Sequence, residues 1–248
     1  MVLILGGTAE ARALAARLHA DGLAVTSSLA GRVANPRLPA GTVRIGGFGG
    51  PEALGRWLAA HQIAAVIDAT HPFAQRISAS AAQAAPAAGV PLLRLERPGW
   101  SERPGDRWHW VDDLEQAAGA IGSLGERVLL TTGRQGLAAF ATVGHAWFLV
   151  RCVDPPDPPL PPHHELLLDR GPYTLDGELE LIDAHGVDLI VTKDSGGAHT
   201  KAKLDAARRR GLAVIVVRRP PRPAVPSVPT VDEAVDWARA HAGYRRGV

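Results

Sequence analysis

Val2-Leu3-Ile4-Leu5-Gly6-Gly7-Thr8-Ala9-Glu10 opens the chain, and the fold is decided by how these nine residues are read. Four apolar residues in a row mark a short strand buried on both faces, as in a parallel sheet. Two glycines end it. The alanine-rich stretch from Ala9 to Ala20 then reads as a helix, with Ala13, Leu14, Ala16 and Leu18 as packing positions and Arg12, Arg17 and His19 toward water. Strand, glycine turn and helix form the layout of a nucleotide site. Missing side chains let a phosphate reach backbone N–H groups, and the helix N-terminus carries partial positive charge. The dinucleotide fingerprint G-x-G-x-x-G/A wants glycine where Thr8 stands. Glu10, in the first helical turn, suits the dipole but repels a phosphate. Taken alone, the turn is either a phosphate cradle or simply a tight connection.

At 248 residues the chain has room for one large or two medium α/β domains. Apolar residues make up 46% of it, enough for a real core, and the net charge of +2 gives no global case for nucleic acid. The single cysteine, Cys152, rules out an internal disulfide and suits a reducing cytosol. No apolar run approaches the roughly 18 residues of a membrane span, and no leader pattern is visible. The expectation is a cytoplasmic protein with no membrane and no nucleic-acid partner.

Moving outward, Leu23 to Leu29 reads as the second strand and ends in Ala30-Gly31-Arg32. A Rossmann unit places an acid here to bond the ribose hydroxyls of NAD. Ser27, Ser28 and Arg32 stand here instead, and they suit a 2′-phosphate, hence NADPH over NADH. The alternative is that Arg32 is a solvated loop residue. Val43 to Phe48 reads as a third strand running into a glycine turn, and Pro51 starts a helix to about His61. Ala64 to Ala69 is a fourth buried strand, with Asp68, Thr70, His71, Pro72 and Phe73 at its carboxyl end, where open α/β sheets bind ligands. His71 is either a proton-donating, ligand-contacting group or a structural histidine. A helix begins near Ala74, and Val90 to Leu95 is a fifth strand. Trp100, Trp108 and Trp110 then cluster, either to stack on a flat ligand or to close one side of a core.

Asp112 to Leu124 reads as a helix, after which the pattern restarts. Val128-Leu129-Leu130-Thr131-Thr132-Gly133-Arg134 is again strand, small residues and a helix start. Strands are expected at Trp147–Val153, Val187–Val191 and Ala213–Val217, and helices at Leu175–His185, His199–Arg210 and Val231–His241. The proline-rich run from Asp154 to Pro162 is an exposed, stiff connection. His163-His164-Glu165 lacks the further spaced ligands of a metal site, so no metal is expected. Lys193, in Thr192-Lys193-Asp194-Ser195-Gly196-Gly197, either holds a carboxylate or phosphate as a point charge or pairs with Asp194. The halves echo each other: Gly89–Pro98 resembles Gly211–Pro220, and Ala65–Thr70 resembles Asp188–Lys193. The repeat predicts an α/β fold of two Rossmann-like domains, residues 1–123 and 124–248. Both sheets would be mainly parallel, with a ligand cleft between the domains. Terminal elements of such proteins can cross to the other sheet.

Five stretches together resemble the precorrin-6A reductase family of cobalamin biosynthesis. They are Leu5–Arg12, Ala30-Gly31-Arg32, Asp68-Ala69-Thr70-His71-Pro72-Phe73-Ala74, Thr131-Thr132-Gly133 and Val191–Gly197. The motif Asp-Ala-Thr-His-Pro-Phe-Ala at the fourth strand's end and the run Thr-Lys-Asp-Ser-Gly-Gly carry most of the specificity. The resemblance implies NADPH-dependent reduction of one carbon–carbon double bond of a tetrapyrrole macrocycle, giving precorrin-6B, with hydride passing to one ring carbon and a proton to its neighbour. It implies cofactor contacts at Gly6, Gly7, Thr8, Ser28, Arg32, Thr70, Thr132 and Gly133, with the 2′-phosphate near Ser28 and Arg32. It implies substrate contacts at Glu10, Arg134, Lys193, Asp194, Ser195, Gly196 and Lys201, and His71 as proton donor, a role that water or a substrate carboxylic acid can also fill. Neighbouring enzymes of the corrin pathway are possible partners. The competing readings are a cofactor-free two-domain tetrapyrrole enzyme of the uroporphyrinogen-III synthase type, and a bilobal binding protein without chemistry.

Overall fold

A computed structural model describes residues 1–31 and 36–243. Its chain divides into two compact units, Met1–Pro98 with Pro220 onward, and Gly99–Arg219. The expected boundary at 123/124 does not coincide with this division. Gly122 to Gly125 form a turn inside the second unit, where the Gly122 N–H donates to Gly125 O at 2.9 Å.

The first unit contains β1 (Val2–Leu5), α1 (Ala9–Ala20), β2 (Val25–Leu29), β3 (Thr42–Ile45), α2 (Pro51–Ala60), β4 (Ala65–Asp68), α3 (Gln75–Ala87) and β5 (Leu92–Leu95). The second contains β6 (Arg107–Val111), α4 (Leu114–Ala120), β7 (Arg127–Leu130), β8 (Trp147–Cys152), β9 (His164–Leu168), α5 (Leu175–His185), β10 (Leu189–Lys193), α6 (Ala202–Arg210) and β11 (Ala213–Val217). β12 (Ser227–Val228) and α7 (Val231–His241) return to the first unit.

Among the described residues each unit holds one six-stranded sheet, ordered β12-β5-β4-β1-β2-β3 and β6-β11-β10-β7-β8-β9, with every pairing parallel. Counted from the first strand of each unit's own repeat, both run 3-2-1-4-5, the doubly wound order whose reversal lies between strands 1 and 4. The sixth strand is exchanged. β6 follows β5 in the chain but pairs with β11, whereas β12 follows β11 but pairs with β5. Proline stands at both crossings, Pro98 after β5 and Pro220-Pro221 after β11. Proline cannot continue a central strand or enter a helix interior, so the chain leaves its sheet at both points.

Helices cover both faces of the first sheet, which is why all four residues of β1 are buried. Val2 and Ile4 pack with α1 and α7 through Leu14, Leu18, Ala234 and Ala238, and Leu3 and Leu5 pack with α2 and α3 through Leu54, Leu58 and Ala81. The buried face of α1 is Ala11, Leu14, Ala15 and Leu18, the i, i+3, i+4, i+7 row. Ala13 and Ala16, expected to pack, face solvent; the two leucines set the phase, and alanine fits either side. In the second unit Trp100, Trp108 and Trp110 pack against the core that Leu129, Ile190, Leu204 and Val214 share. This packing is the core-closing arrangement of the two that the sequence left open. Edge strands β6, β9 and β12 lie where the sequence indicated no strand.

Candidate active site

The glycine turn is built by three neighbours. Gly6 N–H donates to Ser28 O at 3.0 Å, so the turn leaves β1 still attached to β2. Gly7 takes φ +118°, a conformation that side-chain-bearing residues rarely adopt, and nothing lies within 4 Å of where its Cβ would be. Thr8 is the N-cap of α1: its Oγ1 accepts from Ala11 N–H at 3.1 Å and donates to Ala69 O at 2.8 Å. The hydroxyl therefore ties the turn to the β4 loop. Among the described residues no acceptor meets the N–H groups of Gly7, Ala9 or Glu10, the orphan donors of a helix start. Glu10, expected to repel a phosphate, is held by Arg97, whose Nη1 donates to Glu10 Oε2 at 2.6 Å. Bare amides, a helix N-terminus and a neutralised acid make this turn fit a pyrophosphate.

At the end of β4, Asp68 is buried within a web of charges. Thr70 Oγ1 donates to Asp68 Oδ1 at 2.6 Å, Arg222 Nη2 donates to Asp68 Oδ2 at 2.8 Å, and Arg94 Nε lies 3.6 Å from the same oxygen. Arg222 also reaches Ser78 Oγ and Glu96. The Thr70 hydroxyl is thus engaged within its own loop. Phe73 N–H donates to His71 Nδ1 at 3.3 Å. An acceptor at Nδ1 leaves the neutral ring's proton on Nε2.

Ser28 is buried at the end of β2, and its Oγ accepts from Arg44 Nη1 at 3.0 Å. Arg32 lies outside the described residues.

The remaining expected residues belong to the second unit. Thr132 and Gly133 follow β7, on a different sheet from Gly6, Gly7 and Thr8. The Thr132 hydroxyl is buried with no hydrogen-bond partner among the described residues, and its carbonyl accepts from Lys193 Nζ at 2.9 Å. Burial lowers the Lys193 pKa. Asp194 does not pair with Lys193. Its Oδ1 accepts from Trp100 N–H at 2.9 Å, and Arg219 Nε lies 3.2 Å from Oδ2. A Cβ at Gly99 would stand 2.5 Å from Asp194 Oδ2, so any side chain there would push that carboxylate from its place. Ser195 Oγ lies 3.4 Å from Thr200 Oγ1, Gly196 takes φ +68°, and Lys201 begins α6. Arg134 sits close enough to Cys152 to offset in part the upward push of burial on that thiol.

Four residues carry weight that sequence reasoning did not assign: Arg44, Arg97, Arg222 and Lys203. Lys203 is buried on α6, donates to Thr200 O at 2.7 Å and lies 4.9 Å from the Trp100 ring centre, so it props the Asp194–Lys201 loop from beneath. Desolvation, then the charge of Arg151, bring its pKa down to about 7, against the pull of Glu178. Arg44, Arg97 and Lys203 share one signal only, a basic residue at a strand end or a helix start; Arg222 lies in the proline-rich crossing after β11, with no such mark. No group of three or more metal-ligating side chains occurs among the described residues, and no described helix is long and apolar enough to cross a membrane.

A sequence profile for the family described as precorrin-6x reductase CbiJ/CobK matches residues 1–239. A precorrin-6A reductase of Rhodococcus erythropolis is 53% identical over 240 residues, covering 95% of this chain and 96% of that one. A precorrin-6A reductase of Mycobacterium tuberculosis is 52% identical over 239 residues, with 95% and 96% covered. A solved structure named CobK precorrin-6A reductase superposes with a TM-score of 0.93 at 41% identity, covering 100% of this chain and 99% of its own.

Proposed function

The chain belongs to the precorrin-6x reductase CbiJ/CobK family, and from that premise we propose that it reduces one carbon–carbon double bond of precorrin-6A with NADPH, in the cytoplasm. The reductase identity of its relatives does not favour a cofactor-free, ring-closing enzyme of similar outline. NADPH supplies the hydride.

Support for a dinucleotide on the first unit comes from the difference between two equivalent places. Each sheet reverses its order beside a first strand, β1 or β7. After β1 comes a bare glycine turn and the twelve-residue helix α1 with its N-terminal donors open. After β7 comes only a four-residue 3₁₀ turn, Leu137–Phe140, and Lys193 already bonds Thr132 O there. Aligned peptide dipoles sum along a helix, so α1 offers the pyrophosphate far more than the short turn does. In this reading Gly6, Gly7 and Thr8 hold the pyrophosphate, and Ser28 contacts the adenosine ribose. Thr70 is a positioning residue that orders the loop carrying His71, rather than a hydroxyl open to the cofactor.

The macrocycle carries several acetate and propionate groups and needs cations. Arg134, Lys193 and Lys201 supply them on the second unit, and Asp194, Ser195 and Gly196 shape the loop that presents them. Thr132 and Gly133 fall beside Lys193 and take part in the same substrate face. Glu10, paired with Arg97, serves to hold the glycine turn. The reduced macrocycle takes its proton from Nε2 of His71 in the imidazolium form, which gives up the Phe73 N–H contact at Nδ1 and returns to the neutral ring once the proton has passed.

The test is absorbance at the nicotinamide band with metal-free precorrin-6A present and absent. The reading expects oxidation of NADPH that depends on the macrocycle, slower oxidation of NADH, and turnover of His71→Ala reduced about 10²-fold at saturating NADPH. No macrocycle-dependent oxidation overturns the function. Unchanged turnover of His71→Ala removes His71 as the acid.

A further inference from the structure

Resting on that cofactor reading, we propose that Arg44 is the residue that tells NADPH from NADH, receiving the 2′-phosphate of the adenosine half at the carboxyl ends of β2 and β3. Arg44 and Ser28 are register partners across these strands. The guanidinium donates to Ser28 Oγ at 3.0 Å, to Gly46 O at 2.8 Å and to Gly47 O at 3.0 Å, and its carbon lies 3.7 Å from the Phe48 ring centre. These contacts fix the plane and direction of the fork before any ligand arrives. They use three of its five N–H groups. No carboxylate of the described residues lies within ion-pair distance, so the charge is part-buried without a counterion. Its pKa is lowered by that burial, and an anion brought to it would relieve the same deficit.

The place agrees with the chemistry. In a sheet ordered 3-2-1-4-5 the adenosine half of a dinucleotide lies over the 3-2-1 side, with its ribose at the end of strand 2. Ser27, Ser28, Leu29, Ala30 and Gly31 stand at that end, and none can accept from a free 2′-hydroxyl as a carboxylate would. A buried hydroxyl beside an oriented guanidinium with open N–H groups instead suits a phosphomonoester.

The experiment measures dissociation constants for NADPH and NADH by quenching of tryptophan fluorescence, for the wild type, Arg44→Gln and Arg44→Lys. The glutamine keeps a polar side chain but removes the charge and the fork, whereas the lysine keeps the charge and removes only the fork. Expected is a loss of NADPH affinity of about 10- to 100-fold in Arg44→Gln, NADH affinity within about twofold of wild type, and an intermediate NADPH loss in Arg44→Lys. In parallel, NADPH but not NADH should shield Arg44 of the wild type from phenylglyoxal, read by peptide mass spectrometry; this arm needs no variant to fold. Equal loss of both dinucleotides makes Arg44 a brace for the glycine loop and overturns the proposal. So does unaltered NADPH affinity, or absence of shielding. A wild type that binds neither dinucleotide, or prefers NADH, overturns the cofactor reading itself.

Discussion

Lys203 shows how far a single buried charge can be followed. In the folded chain its pKa is brought down to about 7, first by desolvation and then by Arg151, whereas the unfolded chain keeps the ordinary value of 10.5. Between those values the unfolded state binds more protons than the folded one, so stability rises with pH through that window. Lys193, also lowered by burial, adds in the same direction, and Cys152 and Tyr173, both raised, oppose it once their ordinary values are passed. Subtracting a Lys203→Met variant isolates the one group. Denaturant unfolding from pH 7 to 9 should show wild-type stability rising more steeply than that of the variant; parallel curves would contradict the burial of a titrating ammonium. At this scale the sequence was legible where partners are neighbours: Gly6-Gly7-Thr8 and Asp68 to Phe73 could be read in place. It was not legible where partners are distant. Thr8 meets Ala69 across 61 positions and Arg97 meets Glu10 across 87, and no local pattern marks such pairs.

Among the elements, the returning strand and helix carry the most consequence. β12 is only two residues long and cannot hold a segment to its sheet by ladder bonds alone. Its anchors are side chains. Ala234, Val235 and Ala238 of α7 bury against α1, and Arg222 enters the Asp68 web with both side chains at or below 5% exposure. Removing one member of a buried pair leaves a charge without its partner, which costs about 3–5 kcal/mol; Arg94 stays near Asp68, so Arg222→Met should lie at the lower end, measured by urea unfolding. Arg17→Met, which breaks the exposed pair with Asp232, should cost no more than about 1 kcal/mol. Similar costs for the two variants would contradict the anchoring role. The same contrast explains which elements could be read beforehand. Central strands are buried on both faces and appear as apolar runs: β1, β10 and β11 are examples. β6, β9 and β12 are edge strands with mixed exposure, and their residues look like loop. Missing them is why the division was expected at 123/124 rather than at the two proline crossings.

Taken whole, the chain carries the same doubly wound order twice, and order alone does not say which sheet takes a nucleotide. The distinction lies in the connection leaving each first strand. An open glycine turn and a capped twelve-residue helix leave β1, whereas a 3₁₀ turn already bonded by Lys193 leaves β7. A crystal structure of the chain with NADPH tests this most directly. The account predicts the pyrophosphate within hydrogen-bond distance of the Gly7 and Ala9 N–H groups at the start of α1. A dinucleotide seated instead beside Thr132 and Gly133, or density for none at saturating concentration, would contradict it.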